Sequence, residues 1–446
     1  MLRSSPCAVP CIPPRYPSRR ATPAHAVIYP IVLASAFGAG ASRPATAAGP
    51  VQAAESGNAG EAGMWHKIVI NDQSPYEAAG AADFNGDGKL DIFSGNTLYL
   101  GPSWKPFRVR EAPPSDPSAH YHEDFNDLPL DVNGDNRVDV VTCTYFTRRV
   151  GWVENPAGAT QPWTEHEIDT PGSSETGQLL DLDADGKPDF LPNCVATVVW
   201  YELDERKPEV RWTKHELGKE GAGHGVGVGD LNGDGRTDVI CPNGWYEQPP
   251  DSAAAEWPFH KEFNLGAAGI LVLGRDFDGD GKTDIVWGLG HDFGLFWLRQ
   301  KTSADGRRDW AREPIDTSFS QVHTLLLADL DGDGEPEIVT GKRVYAHEAE
   351  PGATDAPIVA SFHFDKKAGK WQRRVLQQGE PAKNAPPEAK DRHALKDFAQ
   401  GSVGTGLQLQ AVDTDGDGDL DLLCPGKSGL YLLANPLKGG GAGAAK

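Results

Sequence analysis

Short apolar runs alternate with acidic, glycine-containing turns along most of the chain, a rhythm that predicts strands and tight turns rather than helices. No amphipathic helical pattern stands between Trp65 and Leu433. Three kinds of segment recur in fixed phase. An apolar run follows each acidic turn. An aromatic strand comes next, as in Trp152-Val153-Glu154, Trp200-Tyr201-Glu202, Trp245-Tyr246-Glu247 and Phe296-Trp297-Leu298. A tryptophan then opens a strand of alternating polarity, at Trp65, Trp104, Trp163, Trp212, Trp257, Trp310 and Trp371.

The acidic turns are DFNGDGKLD (83–91), DVNGDNRVD (131–139), DLDADGKPD (181–189), DLNGDGRTD (230–238), DFDGDGKTD (276–284), DLDGDGEPE (329–337) and DTDGDGDLD (413–421). Their first aspartates lie 48, 50, 49, 46, 53 and 84 residues apart, and all but the last interval match one four-stranded propeller blade. Each repeat thus reads as inner strand a, acidic loop, strand b, aromatic strand c and tryptophan-led strand d. The domain opens with a d-type strand from Trp65 and ends with a c-type strand, Leu430 to Leu433. Each end supplies what the other lacks, so the first strand is expected to complete the seventh blade. The expected fold is an all-β, seven-bladed propeller spanning 64–436.

Flanking segments fall outside that rhythm. Arg3, Arg15, Arg19 and Arg20 precede an apolar stretch at 26–41, and Ala45, Thr46, Ala47 and Ala48 offer the small residues of a cleavage site. Residues 1–48 therefore read as a signal segment, which implies export to the periplasm or the extracellular space. The Pro, Ser and Gly content of the stretch argues against an uncleaved anchor and against stable membrane insertion of the mature chain. Residues 49–63 read as a flexible linker and 437–446 as a disordered tail. Gly 52 and Pro 35 suit a turn-rich β protein, and a net charge of -22 disfavours nucleic acid as a partner while favouring cations. Cys143, Cys194, Cys241 and Cys424 each fall in a different repeat, so buried free thiols are expected rather than disulfides.

The acidic loops have the chemistry of a calcium site. Position one is aspartate throughout (Asp83, Asp131, Asp181, Asp230, Asp276, Asp329, Asp413), and position three is Asn or Asp (Asn85, Asn133, Asp183, Asn232, Asp278, Asp331, Asp415). Position five is again aspartate (Asp87, Asp135, Asp185, Asp234, Asp280, Asp333, Asp417). Position nine closes the set with Asp91, Asp139, Asp189, Asp238, Asp284, Glu337 and Asp421. A backbone carbonyl is expected from position seven, at Lys89, Arg137, Lys187, Arg236, Lys282, Glu335 and Asp419. Such clustered hard oxygens suit Ca²⁺, up to seven ions in all. Glycine at position six permits the tight wrap, and Asn136 in the second loop tolerates the same left-handed backbone. Seven divalent ions would change the net charge from -22 to -8, so metal binding and folding should be coupled.

The segment HGVGVGDLNGDGRTDVICPNGWYE and its counterparts resemble the FG-GAP/VCBS repeat family, whose propellers include the integrin α-subunit head. The resemblance covers Trp65 to Leu433. It implies structural calcium in the loops joining the innermost strand to the second, on one face of the ring. The Phe-Gly and Gly-Ala-Pro elements are poorly kept, so an integrin-like ligand does not follow, and the fold alone names no substrate.

If strand a runs towards the loop face, its start and the b–c turns emerge on the opposite face. Six residues before the first loop aspartate stand Glu77, Glu175, His224 and His323, and the second repeat offers His120, His122 and Glu123. His291 occupies a b–c turn. Extra residues before the second and seventh loops, including those around His393, Lys396 and Asp397, emerge on this face too. Two function classes follow. An extracellular binding or adhesion module for carbohydrate or protein ligands needs only the rigid ring and its variable loops. A carbohydrate lyase or sugar dehydratase would use Glu77, His122, Glu175, His224 and His323 as acid, base or second-metal ligands, with Arg148, Arg149 and Lys342 able to engage anionic or hydroxyl-rich groups. The bland alternative is that these histidines line a wet channel. The binding module is the favoured reading.

Overall fold

The computed structural model describes residues 65–116, 121–254, 256–344, 350–380 and 401–438. The signal segment, the linker, His120, the segment around His393, Lys396 and Asp397, and tail residues from 439 onward lie outside the described residues.

Seven four-stranded antiparallel sheets make a seven-bladed β-propeller. The inner strands are Gly80–Ala82, Leu128–Leu130, Ser174–Leu180, Gly227–Gly229, Ala268–Arg275, Leu325–Ala328 and Gln410–Val412. Every inner strand leads through an acidic loop into strand b, then through c to an outer strand d. Closure follows the phase of the ends. His66–Asn71 pairs antiparallel with Gly429–Ala434, bringing His66 opposite Ala434 and Val69 opposite Tyr431. Trp65 is buried, and its N–H donates to the carbonyl of Leu376 in blade six at 2.9 Å, so the first residues bridge two blades. One hairpin, Pro114–Asp116 with Tyr121–His122, stands outside the blades. No described helix is long and apolar enough to cross a membrane.

The apolar runs explain the ring. Strands b and c are buried along nearly their whole length, because each sheet is covered on both faces by neighbouring blades. Seven apolar clusters among the described residues sit as wedges between successive blades. One joins Phe84 and Phe93 of blade one to Val140, Val153 and Trp163 of blade two, and another joins Ile92 and Tyr99 of blade one to Leu423 and Leu430 of blade seven. The four described cysteines are buried free thiols, one in each of four blades.

Candidate functional site

The loops wrap as their glycines require. Position six has positive φ in every loop, from 67° at Asn136 to 92° at Gly334, a conformation that glycine and asparagine adopt most cheaply. Backbone N–H groups of positions four, five and six donate to the first aspartate, as from Gly233, Asp234 and Gly235 to Asp230 at 2.7–3.0 Å. These bonds gather carboxylates before any ion is considered. Ligand oxygens lie within 4.8 Å of one another in Asp181/Asp183/Asp189, Asp276/Asp278/Asp284, Asp329/Asp331/Asp333 and Asp413/Asp415/Asp417, and Glu202 joins Asp183 and Asp185 in a further group. In loops one, two and four the third position is asparagine, so an amide oxygen stands where the other loops place a carboxylate. Asp189 Oδ1 and Asp284 Oδ2 are buried without a hydrogen-bond donor, as an oxygen reserved for a cation would be. The donor set therefore fits a hard divalent ion.

Position nine does more than ligate. Its side chain is buried in every loop; in six of them, all but the fifth, one oxygen accepts a backbone N–H from the start of its own loop, and in five blades an oxygen accepts one from the chain at the end of strand c. Burial raises these acids, Asp91 to about 6, Asp139, Asp238, Asp284 and Glu337 to about 7, and Asp189 to about 8. At position seven, Lys187 and Lys282 swing back to Asp185 and Asp280 at 2.5 and 2.8 Å, and Arg137 and Arg236 do the same to Asp135 and Asp234. Besides its backbone, this position thus contributes a local counter-charge in loops two to five.

On the opposite face the seven positions six residues before the loops are Glu77, Phe125, Glu175, His224, Ile270, His323 and Leu407. Phe125, Ile270 and Leu407, from three different blades, belong to one buried apolar cluster. Of the polar members, Glu77 and Glu175 converge on a residue that sequence reasoning passed over. Fully buried Arg343, in the b–c turn of blade six, donates to Glu77 at 2.8 and 3.0 Å and to Glu175 at 2.9 Å. Lys427, in the turn of blade seven, lies 3.5 Å from Glu77 and 3.5 Å from the Tyr121 ring centroid. Burial alone would push Glu77 up, but Arg343 and Lys427 more than reverse it and hold its carboxyl below the ordinary range. His224 Nε2 approaches Glu175 at 3.3 Å, and the rings of His224, His291 and His323 follow one another at 5.9 and 6.0 Å. His291 is held below the ordinary histidine value by burial and by His224.

His122 is placed elsewhere: its ring meets Tyr76 edge-on at 4.9 Å and its Nδ1 lies 3.2 Å from the Ala112 carbonyl. Its neighbour Tyr121 is the residue of that hairpin that reaches Lys427. Lys342 is buried against Ser320 and Gln321, 3.3 Å from each. Non-glycine residues with left-handed backbone gather beside the mouth, at Arg148, Thr176 and Gln321, and Thr176 is β-branched, for which that conformation is costly. Among the described residues, every group of three ligand atoms close enough for one ion lies at the loops, none on the His/Glu face.

Profiles for an FG-GAP-like repeat match residues 131–191 and 276–340, and a profile for the FG-GAP repeat matches residues 222–251. These matches support assignment of the chain to the FG-GAP repeat family. No curated protein sequence matches it. Solved structures of similar fold include an Agrocybe aegerita lectin, reported for recognition of non-reducing terminal N-acetylglucosamine, at 15% identity over 71% of this chain and 80% of that one with a TM-score of 0.41. YCF48 from Cyanidioschyzon merolae matches at 11% identity over 84% of this chain and 99% of that one, with a TM-score of 0.43.

Proposed function

We propose that this protein is an exported, calcium-loaded propeller acting as an extracellular binding module, with cations rigidifying the loop face and a carbohydrate or protein ligand meeting the opposite mouth. One observation carries the reading: Glu77, Glu175, His224, His291 and Arg343, from five different blades, form a single polar site only when the ring is closed. Both carboxylates are committed to Arg343, which leaves them poorly placed as catalytic bases and well placed as rigid acceptors for a ligand's hydroxyl groups.

The test has two parts. Chelation should lower the melting temperature by many degrees and added Ca²⁺ should restore it, since metal held only by the folded loops stabilises the folded state. An unchanged melting curve would remove calcium from the scaffold. Screened against an oligosaccharide panel, the calcium-loaded chain should bind, and His224→Ala should weaken binding while its calcium-dependent melting stays the same.

A second reading has its own support. His291, kept neutral near pH 7, could accept a proton from a sugar carbon in a lyase or dehydratase reaction. Turnover of any panel sugar, lost in His291→Ala, would replace the module by the enzyme.

A further inference from the structure

The b–c turn of blade two differs from its counterparts in length and content. Residues 144–149, Thr-Tyr-Phe-Thr-Arg-Arg, join Asp139–Cys143 to Val150–Glu154, whereas blades one and four turn in two residues. It is a built turn. Thr144 N–H donates to the Arg149 carbonyl at 2.8 Å, the Thr144 and Thr147 hydroxyls lie 2.6 Å apart, and Thr147 donates to Glu123 at 2.8 Å.

This rigid turn displays an aromatic shelf. Tyr145 and Phe146 pack at 5.3 Å, Phe146 reaches Tyr121 at 5.6 Å and Phe125 at 6.0 Å, and Phe146 remains 43% exposed. The other exposed large apolar side chains among the described residues, Val69 and Leu437, lie at the closing strand and the chain end. Two residues further along the same turn, Arg148 is exposed, with left-handed backbone (φ 60°) and no ion pair among the described residues. Arg149 is paired with Glu165 at 2.5 Å. An exposed ring and an unpaired guanidinium two residues apart on one hydrogen-bonded turn suit a flat ligand with an apolar face and an acidic edge.

We propose that this shelf binds one uronate-bearing sugar unit of an oligosaccharide, the C–H face of the sugar lying on Phe146 and its carboxylate on Arg148. The inference rests on the binding-module reading and adds the class of ligand. A sugar fits better than a nucleic-acid strand because one ring and one cation can hold a single sugar unit, whereas holding a strand takes a positively charged groove that tracks its backbone.

Isothermal titration of the calcium-loaded chain with tetragalacturonate, neutral galactotetraose and oligothymidylate tests this. Tetragalacturonate should bind, more weakly as salt rises. Phe146→Ala and Arg148→Gln should each weaken it by about tenfold or more, a change of about 1.4 kcal/mol per tenfold. Arg148→Lys should recover part of the loss, and melting temperatures should not move. Equal affinity in wild type and both variants overturns the shelf, as does equal or tighter binding of galactotetraose or oligothymidylate, or no binding of tetragalacturonate. If saccharide binding survives in both variants but falls in His224→Ala, only the shelf fails and the binding module stands. Failure of wild type with every sugar of a broad panel removes carbohydrate as the module's ligand and the shelf with it.

Discussion

Arg343 is wholly buried and neutralises two carboxylates from blades one and three, so its loss would leave two buried acids with only Lys427 beside Glu77 and His224 beside Glu175. Truncating one partner of such a cluster typically costs about 3–5 kcal/mol, and Arg343→Met should lose stability on that scale in urea unfolding. A loss under about 1 kcal/mol would mean the charges are solvated after all. The acid limb gives a second readout. Because Glu77 is held below its ordinary value in the folded state, its stabilisation is present above the ordinary glutamate range and lost as pH falls below it. In Arg343→Met that acid-side decline should shrink. Its neighbour Lys342 behaves oppositely, with burial pushing the amine down to about 8. The folded chain then binds fewer protons than the unfolded one between that value and the ordinary lysine range, so this contribution grows as pH rises from 8 and is absent below it. Lys342→Met should therefore gain relative to wild type at pH 7 and lose that advantage by pH 10, with a span on the order of 3 kcal/mol. A variant-to-wild-type difference independent of pH would show that the amine is hydrated.

At the scale of elements, the acidic loops, the roles of strands a to d and the burial of the thiols were all readable, because they rest on local spacing and on apolar runs. The contacts that tie blades together were not. Asn155, Gln248 and Asn435, just after their c strands, and Gln300, near the end of its own, donate to the carbonyl of the second loop residue in the preceding blade, Phe84, Leu182, Leu330 and Leu231 respectively, at 2.6–3.1 Å. They lie 66 to 105 residues from their acceptors and at unequal distances after position nine, so no periodic pattern exposes them. The histidines of the d strands, each three residues after its tryptophan, were periodic, but their role was not readable from that spacing. His166, His215 and His260 stack on Trp152, Trp200 and Trp245 at 3.9–4.3 Å and pair with Glu154, Glu202 and Glu247, so they serve the blades and not the channel mouth. Gln300 also holds its own loop through Thr283. Gln300→Leu keeps the volume but strands two carbonyls, and should cost about 1–3 kcal/mol. Thermal unfolding within experimental error of wild type would show that water replaces the staple.

Taken as a whole, the molecule is a ring of seven wedges, and a ring has no weak edge until it is opened. Its closure was legible from phase, since an unpaired d strand began the domain and an unpaired c strand ended it. The mouth site was legible only in part: Glu77, Glu175, His224 and His323 shared an offset, whereas Arg343 and Lys427 sit in turns whose sequence carries no repeat and whose partners are set by curvature around the axis. Closure yields the sharpest test. His66–Asn71 is the outer strand of blade seven, and buried Trp65 links it to blade six. Deletion through residue 70 removes nearly all of that strand, leaving Gly429–Ala434, an entirely buried apolar run, as an exposed edge. Such an edge recruits other chains. The truncated protein should aggregate or lose cooperative unfolding, while deletion through residue 60 should melt as the longer chain does. Both are compared with calcium present, so that the loops are equally filled and only the strand differs. Equal melting temperatures and equal monodispersity of the two truncations would mean that the ring is held by its wedges alone and that the first strand is dispensable.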